Sequence, residues 1–306
     1  MTALLQWITA KPIRAFLAAG IAALVALLAL PMAAWLPAGI VVLALLAGGP
    51  PVAIAAGAGA ALALVWAFAP AFGPGPAFLI AVATLLPSAL GALVLERSRS
   101  LSVVFQALTG ASCLLVLAIH ALLGDPVLAL APVIAKLEPM LQRTAETLSQ
   151  MGIQSSPEQI GVATARMAWQ TLGWMVLLHA FLAQCAGLWA YGRTREPGLF
   201  GREFRGLRLG RALAWLLVAS FVASFVAHRV GAGWQGIDDL LFVLAAAFLV
   251  QALAVVHGLR ELQVIGALSV VLAYVAVLVV PMALVGIGFA DTWVRFRERF
   301  APRQGV

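Results

Sequence analysis

Residues 279–300 read VVPMALVGIGFADTWVRFRERF, and their reading decides what kind of molecule this is. A long apolar run, which begins near residue 263, stops at a single carboxylate, Asp291. Trp293 follows, and then arginines stand at 295, 297 and 299. An interfacial aromatic ring and a cluster of arginines after an apolar run mark the exit of a helix from a bilayer. The ring sits at headgroup depth and the guanidiniums reach lipid phosphates. Asp291, Trp293 and Arg295 therefore form a structural C-terminal motif. An unpaired carboxylate at the membrane boundary is costly, and Arg295 lies one helical turn on. The spacing predicts a last segment that is helical through Arg295, with Asp291 turned toward protein.

The rest of the chain agrees with that reading. Of its 306 residues, 63% are hydrophobic and only 10% charged, and the mean hydropathy is +1.05. A soluble domain carries about 25% charged residues, so most of this surface must face lipid. The apolar runs are continuous and rich in Ala and Leu rather than alternating, which selects helices over a barrel. The fold class is all-α: a polytopic integral membrane protein of eight or nine segments, 1–306 forming a single membrane domain.

Apolar runs lie at 13–30, 36–48, 51–70, 76–95, 101–123, 167–191, 212–230, 238–257 and 263–289. Residues 1–123 form N-terminal helices, 124–165 a polar interruption, and 166–306 the C-terminal helices and basic tail. The net charge is +7, and of the 19 basic residues only Lys11 and Lys136 are lysine. The basic stretches at 11–14, 96–100 and 193–211 fall on one side, assigned to the cytoplasm of a bacterial inner membrane. This charge serves orientation and lipid contact, not nucleic acid. Nine crossings would put the tail outside. A last segment broken at Pro281 would keep it inside, and we favour that reading.

Within 124–165, Leu130, Ile134, Leu137, Leu141 and Leu148 predict one amphipathic helix, stopped at Gly152. Ser156, Pro157 and Gln159 predict a capping box that starts the next helix before the bilayer. Small residues four apart, Ala53/Gly57/Ala61 and Ala55/Gly59/Ala63, predict close helix packing.

Ionisable and amide groups inside apolar runs are the candidate functional residues. His179, Gln184, Gln251 and Gln106 are the candidate polar lining of a ligand cavity. Each amide can donate and accept, so each can equally tie helices together. His120, His228 and Asp238 form a candidate outer-face polar cluster, with Asp125 and Asp239 at similar depth. No histidine pair has the spacing of a helical metal site. Cys113 and Cys185 sit apart in apolar runs, and GAGWQG at 231–236 lacks the strand a nucleotide loop requires. The sequence carries no known catalytic motif, and no metal, cofactor or enzymatic activity is expected.

Three stretches, FLVQALAVVHGL (248–259), PMALVGIGFADTWVRFRER (281–299) and GREFRGLRLGR (201–211), resemble the YybS-like family of bacterial multi-pass membrane proteins, a domain of unknown function. The resemblance covers most of the chain. It departs at Val294 and Arg295, where the family has an acidic or aromatic pair. That family is distantly similar to the substrate-binding components of energy-coupling-factor transporters. The resemblance implies small-molecule binding or transport through a helix-bundle cavity. It also implies an energy-coupling or other membrane partner met by an Ala-x-x-x-Ala face, here Ala15/Ala19/Ala23 or Ala18/Ala22/Ala26. The alternative is a non-transporting scaffold or regulator that docks a cytoplasmic partner through its basic 193–211 loop.

Overall fold

In lipid a backbone amide has no water to bond, so each apolar run closes its hydrogen bonds internally as helix. A computed structural model describes residues 2–28, 33–124, 126–231 and 234–300. Fifteen helices and no strand occur among them. These are α1 (Thr2–Thr9), α2 (Pro12–Leu28), α3 (Leu36–Gly48), α4 (Pro50–Phe72), α5 (Pro74–Ser98), α6 (Leu101–Leu123), α7 (Pro126–Lys136) and α8 (Glu138–Gln150). They continue with α9 (Pro157–Arg195), α10 (Leu199–Arg205), α11 (Gly210–Arg229), α12 (Gln235–Glu261), α13 (Ala267–Val279), α14 (Pro281–Val294) and α15 (Phe296–Arg299). Six are long and apolar enough to cross a membrane, or up to eight spans if each of two bent pairs counts as one. The protein is thus a multi-pass, membrane-embedded helical bundle.

The short run at 36–48 is the most enclosed part of this bundle. With 13 residues, α3 is too short to cross alone, yet eight of its residues are buried. It is walled by α2, α4, α5 and α9. Its continuous hydrophobicity therefore comes from burial on every side rather than from lipid. Small residues set the tightest crossings. A Cβ on Gly59 of α4 would stand 2.1 Å from the Phe16 carbonyl oxygen of α2. One on Gly187 of α9 would meet Val42 of α3 at 2.5 Å. Only the Gly59 stripe of α4 works this way, since a Cβ on Gly57 meets nothing within 4 Å. The Ala15/Ala19/Ala23 face of α2 is likewise spent inside the chain: Ala15 and Ala19 are fully buried in the core shared with α4.

Contacts between helix ends show which segments share an end of the bundle. The Leu101 amide, at the start of α6, donates to Glu203 at 2.9 Å. Leu95, Arg99, Tyr191 and Glu203 border one cavity of about 340 Å³. Thr9, beside Lys11, lies against Gly48 at the foot of α3. The basic stretches of the N-terminus, of 96–100 and of 193–211 therefore converge at one end, called the basic end here. The opposite end carries α7, α8 and the start of α9.

That opposite end corrects the single amphipathic helix. The stripe breaks at Leu137, because Pro139 has no N–H to give the Ala135 carbonyl and its ring crowds that position. α7 and α8 fold separately against the first turns of α9, where Leu141 is buried. Gly152 at φ 82° stops α8 by sending the Ile153 amide back to Leu148 at 2.9 Å. The capping box forms: Ser156 Oγ accepts from the Gln159 amide at 3.2 Å, and Gln159 Oε1 from the Ser156 amide at 3.0 Å. From there α9 runs 39 residues without interruption.

The last apolar run is broken. α13 and α14 meet at Val280–Pro281 with a bend of 118°. α12 ends at the basic end, where Glu261 pairs with Arg205 at 3.4 Å. α14 also ends there, because Arg297 just beyond it donates to the Arg205 carbonyl at 2.5 Å and the Leu207 carbonyl at 2.9 Å. The pair therefore enters and returns at one end as a re-entrant hairpin.

Candidate functional site

The polar groups of the basic end are built around an arginine-rich return of the chain and a buried ion pair. Asp291, 1% exposed, receives Arg297 Nη2 on Oδ2 at 2.6 Å and the Phe296 amide on Oδ1 at 3.0 Å. This corrects the expected Asp291–Arg295 pair and the helix through Arg295. α14 stops at Val294, and Arg295 adopts a left-handed backbone at φ 52°. That turn throws Arg295 outward to Glu298, 3.3 Å away, and brings Arg297 under Asp291. Burial pulls the Arg297 guanidinium below its ordinary range, and the charge of Asp291 opposes that pull. Trp293 packs edge-on to Trp215 at 6.0 Å and on Phe289 at 4.6 Å.

Above this pair, Gln251 of α12 is fully buried. Its Oε1 accepts from the Leu209 amide and its Nε2 donates to the Gly288 carbonyl, both at 2.7 Å. Gln106 of α6 donates to the Arg208 carbonyl at 2.8 Å. Two amides thus clamp the segment leading into α11. Gly288 makes the geometry possible, because a Cβ there would stand 2.0 Å from the Phe248 carbonyl oxygen. Arg208 reaches Glu298 at 2.7 Å. Arg208 is the first cause that holds the Glu298 carboxyl below the usual carboxylate range, and Arg295 adds to it. Their contribution is therefore complete at neutral pH and lost only as pH falls through that lowered value.

The other candidate lining residues lie elsewhere. Gln184 of α9, also fully buried, donates to the Ser88 carbonyl of α5 at 2.7 Å. His179, one turn earlier, contacts the Thr84 backbone, and its Nε2 has no hydrogen-bond partner. Both attach to the turn of α5 that Pro87 interrupts. His179, Gln184, Gln251 and Gln106 therefore do not line one cavity. They fasten two different helix junctions. Cavities of about 500 Å³ between α4 and α5 and about 380 Å³ between α3 and α9 are lined by apolar side chains.

At the opposite end the expected cluster resolves into two pairs. His120 of α6 bonds Asp239 at 2.9 Å, both buried, under the edge of Trp234. His228 of α11 faces Asp238 at 3.6 Å, which also accepts from Ser224 Oγ at 2.6 Å. Consecutive helical residues point about 100° apart, so the two aspartates tie α12 to two different neighbours. Asp239, expected only at similar depth to the cluster, is thus the partner of His120, and its signal in the sequence is the doubled acid in the first turns of α12. Asp125 lies outside the described residues. Among the described residues no three His, Cys, Asp or Glu side chains are grouped to hold a metal ion. Compared with known proteins, the chain matches no family model, no curated protein and no solved structure.

Proposed function

We propose that this chain is a bacterial inner-membrane protein of the YybS-like kind that binds a small molecule and carries it across the bilayer without chemistry on it. The observation that supports this most is the re-entrant hairpin. Pro281 has no N–H to carry the ladder of α13 onward, and broken apolar helices of this kind recur where transporters keep their movable, ligand-facing backbone. The two arms are held unequally. Four anchors secure α14: Gln251, the Gly288 crossing, Asp291 and Arg297. α13 has one buried residue, Ala273. The scaffold reading is less well supported, because three of the six arginines of its docking loop are engaged at home. Arg202 pairs with Glu196, Arg205 with Glu261 and Arg208 with Glu298.

The test is retention followed by uptake. Detergent-purified full-length protein is dialysed against a bacterial small-molecule extract, and retained species are identified by mass spectrometry. Retained species are then offered to proteoliposomes. The expected result is accumulation with the wild type and slower accumulation with Pro281→Ala, which permits a continuous helix. Retention no greater than that of an unrelated membrane protein overturns the reading.

A further inference from the structure

We propose a phosphate-binding site at the basic end, in the small arginine-bordered cavity between the start of α11 and the end of α14. Its volume is about 130 Å³, and Arg208, Gly210, Arg211, Gln251, Asp291, Thr292 and Arg295 border it. This is well below the ~300 Å³ at which drug-sized ligand pockets begin, so it suits a single compact group.

The charge around it is unbalanced. Asp291 is saturated by Arg297 and the Phe296 amide. Arg208 and Arg295 share one carboxylate, Glu298. Among the described residues Arg211 is exposed and has no ion-pair or hydrogen-bond partner. Three arginines thus border the cavity, and the one carboxylate that answers them, Glu298, is shared by two. Guanidinium forks match phosphate oxygens in geometry as well as sign. Thr292 also borders the space, and among the described residues its Oγ1 is buried and without a partner. A buried hydroxyl without a bond is a cost that an acceptor in the cavity would remove. Gly210 and Arg211 open α11, so the positive end of that helix dipole also borders the space. The tryptophan pair Trp215–Trp293 sits beside it, at the depth where headgroups lie.

The shared chemistry is a phosphate group, borne either by an anionic lipid or by a free ion. This proposal does not rest on the transport reading and survives its failure. The test uses the detergent-purified full chain in two arms. In one, inorganic phosphate binding is measured by calorimetry against chloride at equal ionic strength. In the other, retention of phosphatidic acid over phosphatidylcholine is measured by native mass spectrometry after exchange into nanodiscs of both lipids. Arg211→Gln removes an unpaired exposed side chain and Thr292→Val is isosteric, so both variants should fold. Loss of one charge-assisted contact should weaken binding about tenfold, while Arg166→Gln on α9 leaves it unchanged. Phosphate binding that is sensitive to both variants supports the site with the free ion as ligand. Sensitivity confined to phosphatidic acid supports it with a lipid headgroup. Binding of neither probe, or binding that both variants leave intact, overturns it.

Discussion

Both oxygens of Asp291 are used, one by a guanidinium and one by a backbone amide, and the two terminal nitrogens of Arg297 also reach two carbonyls. Removing one partner leaves the other charge buried and alone, which costs roughly 3–5 kcal/mol in comparable pairs. Asp291→Asn and Arg297→Met should therefore each lower the thermal midpoint in detergent strongly, and the double variant should cost less than their sum. Additive losses would show that the two residues act separately. The sequence reveals that Asp291 needs a cation, because a carboxylate at the end of an apolar run cannot stay unpaired. It does not reveal which cation. The choice depends on the left-handed turn at Arg295, a conformation that arginine rarely adopts and that no local pattern announces. The same limit applies to the amides. That Gln184 and Gln251 face protein follows from the cost of an amide in lipid. That they fasten separate junctions depends on where Ser88, Leu209 and Gly288 arrive from distant parts of the chain.

Among the helices, the clearest contrast lies within α4. Gly57→Ala should be tolerated, since its Cβ would meet open space, whereas Gly59→Ala drives a methyl into the Phe16 carbonyl. Overpacking of this kind costs typically about 1–3 kcal/mol, and separating two backbones in contact belongs at the upper end. Monodisperse yield in detergent, compared between the two variants, checks this, and equal yields would contradict the α2–α4 crossing. Helix existence was legible nearly throughout, because long apolar runs have no other way to satisfy their backbone. Which stripe of a helix packs was not legible. Ala53/Gly57/Ala61 and Ala55/Gly59/Ala63 look equivalent until α2 is placed. Prolines are unevenly legible: Pro281 falls inside a run too long for one crossing, whereas the break before Pro139 is hidden because the leucine stripe crosses it without a change of register.

For the whole molecule, the contacts make a statement that charge counting reaches only indirectly: the C-terminal return and the 193–211 segment occupy the same end. Single cysteines at Arg202, Arg299 and Gln150, in a background with Cys113 and Cys185 replaced by alanine, test it with an impermeant reagent on intact cells. Positions 202 and 299 should behave alike and 150 oppositely, and a label that groups 299 with 150 contradicts the hairpin. The clustering of arginine in short loops already brought the basic stretches together in the sequence. The parity of crossings did not follow from it, because a re-entrant hairpin and a full span have the same composition. One further consequence follows from α9. At 1.5 Å per residue its 39 residues make a rod of about 58 Å, roughly twice the hydrocarbon thickness. Its part toward the basic end is gripped by α3 and its opposite tip carries α7 and α8. A tilt of about 10° around its midpoint would swing that tip by about 5 Å. The helix is thus a lever arm, and a rearrangement too small to notice among the buried side chains would be felt at full amplitude on the far side of the membrane.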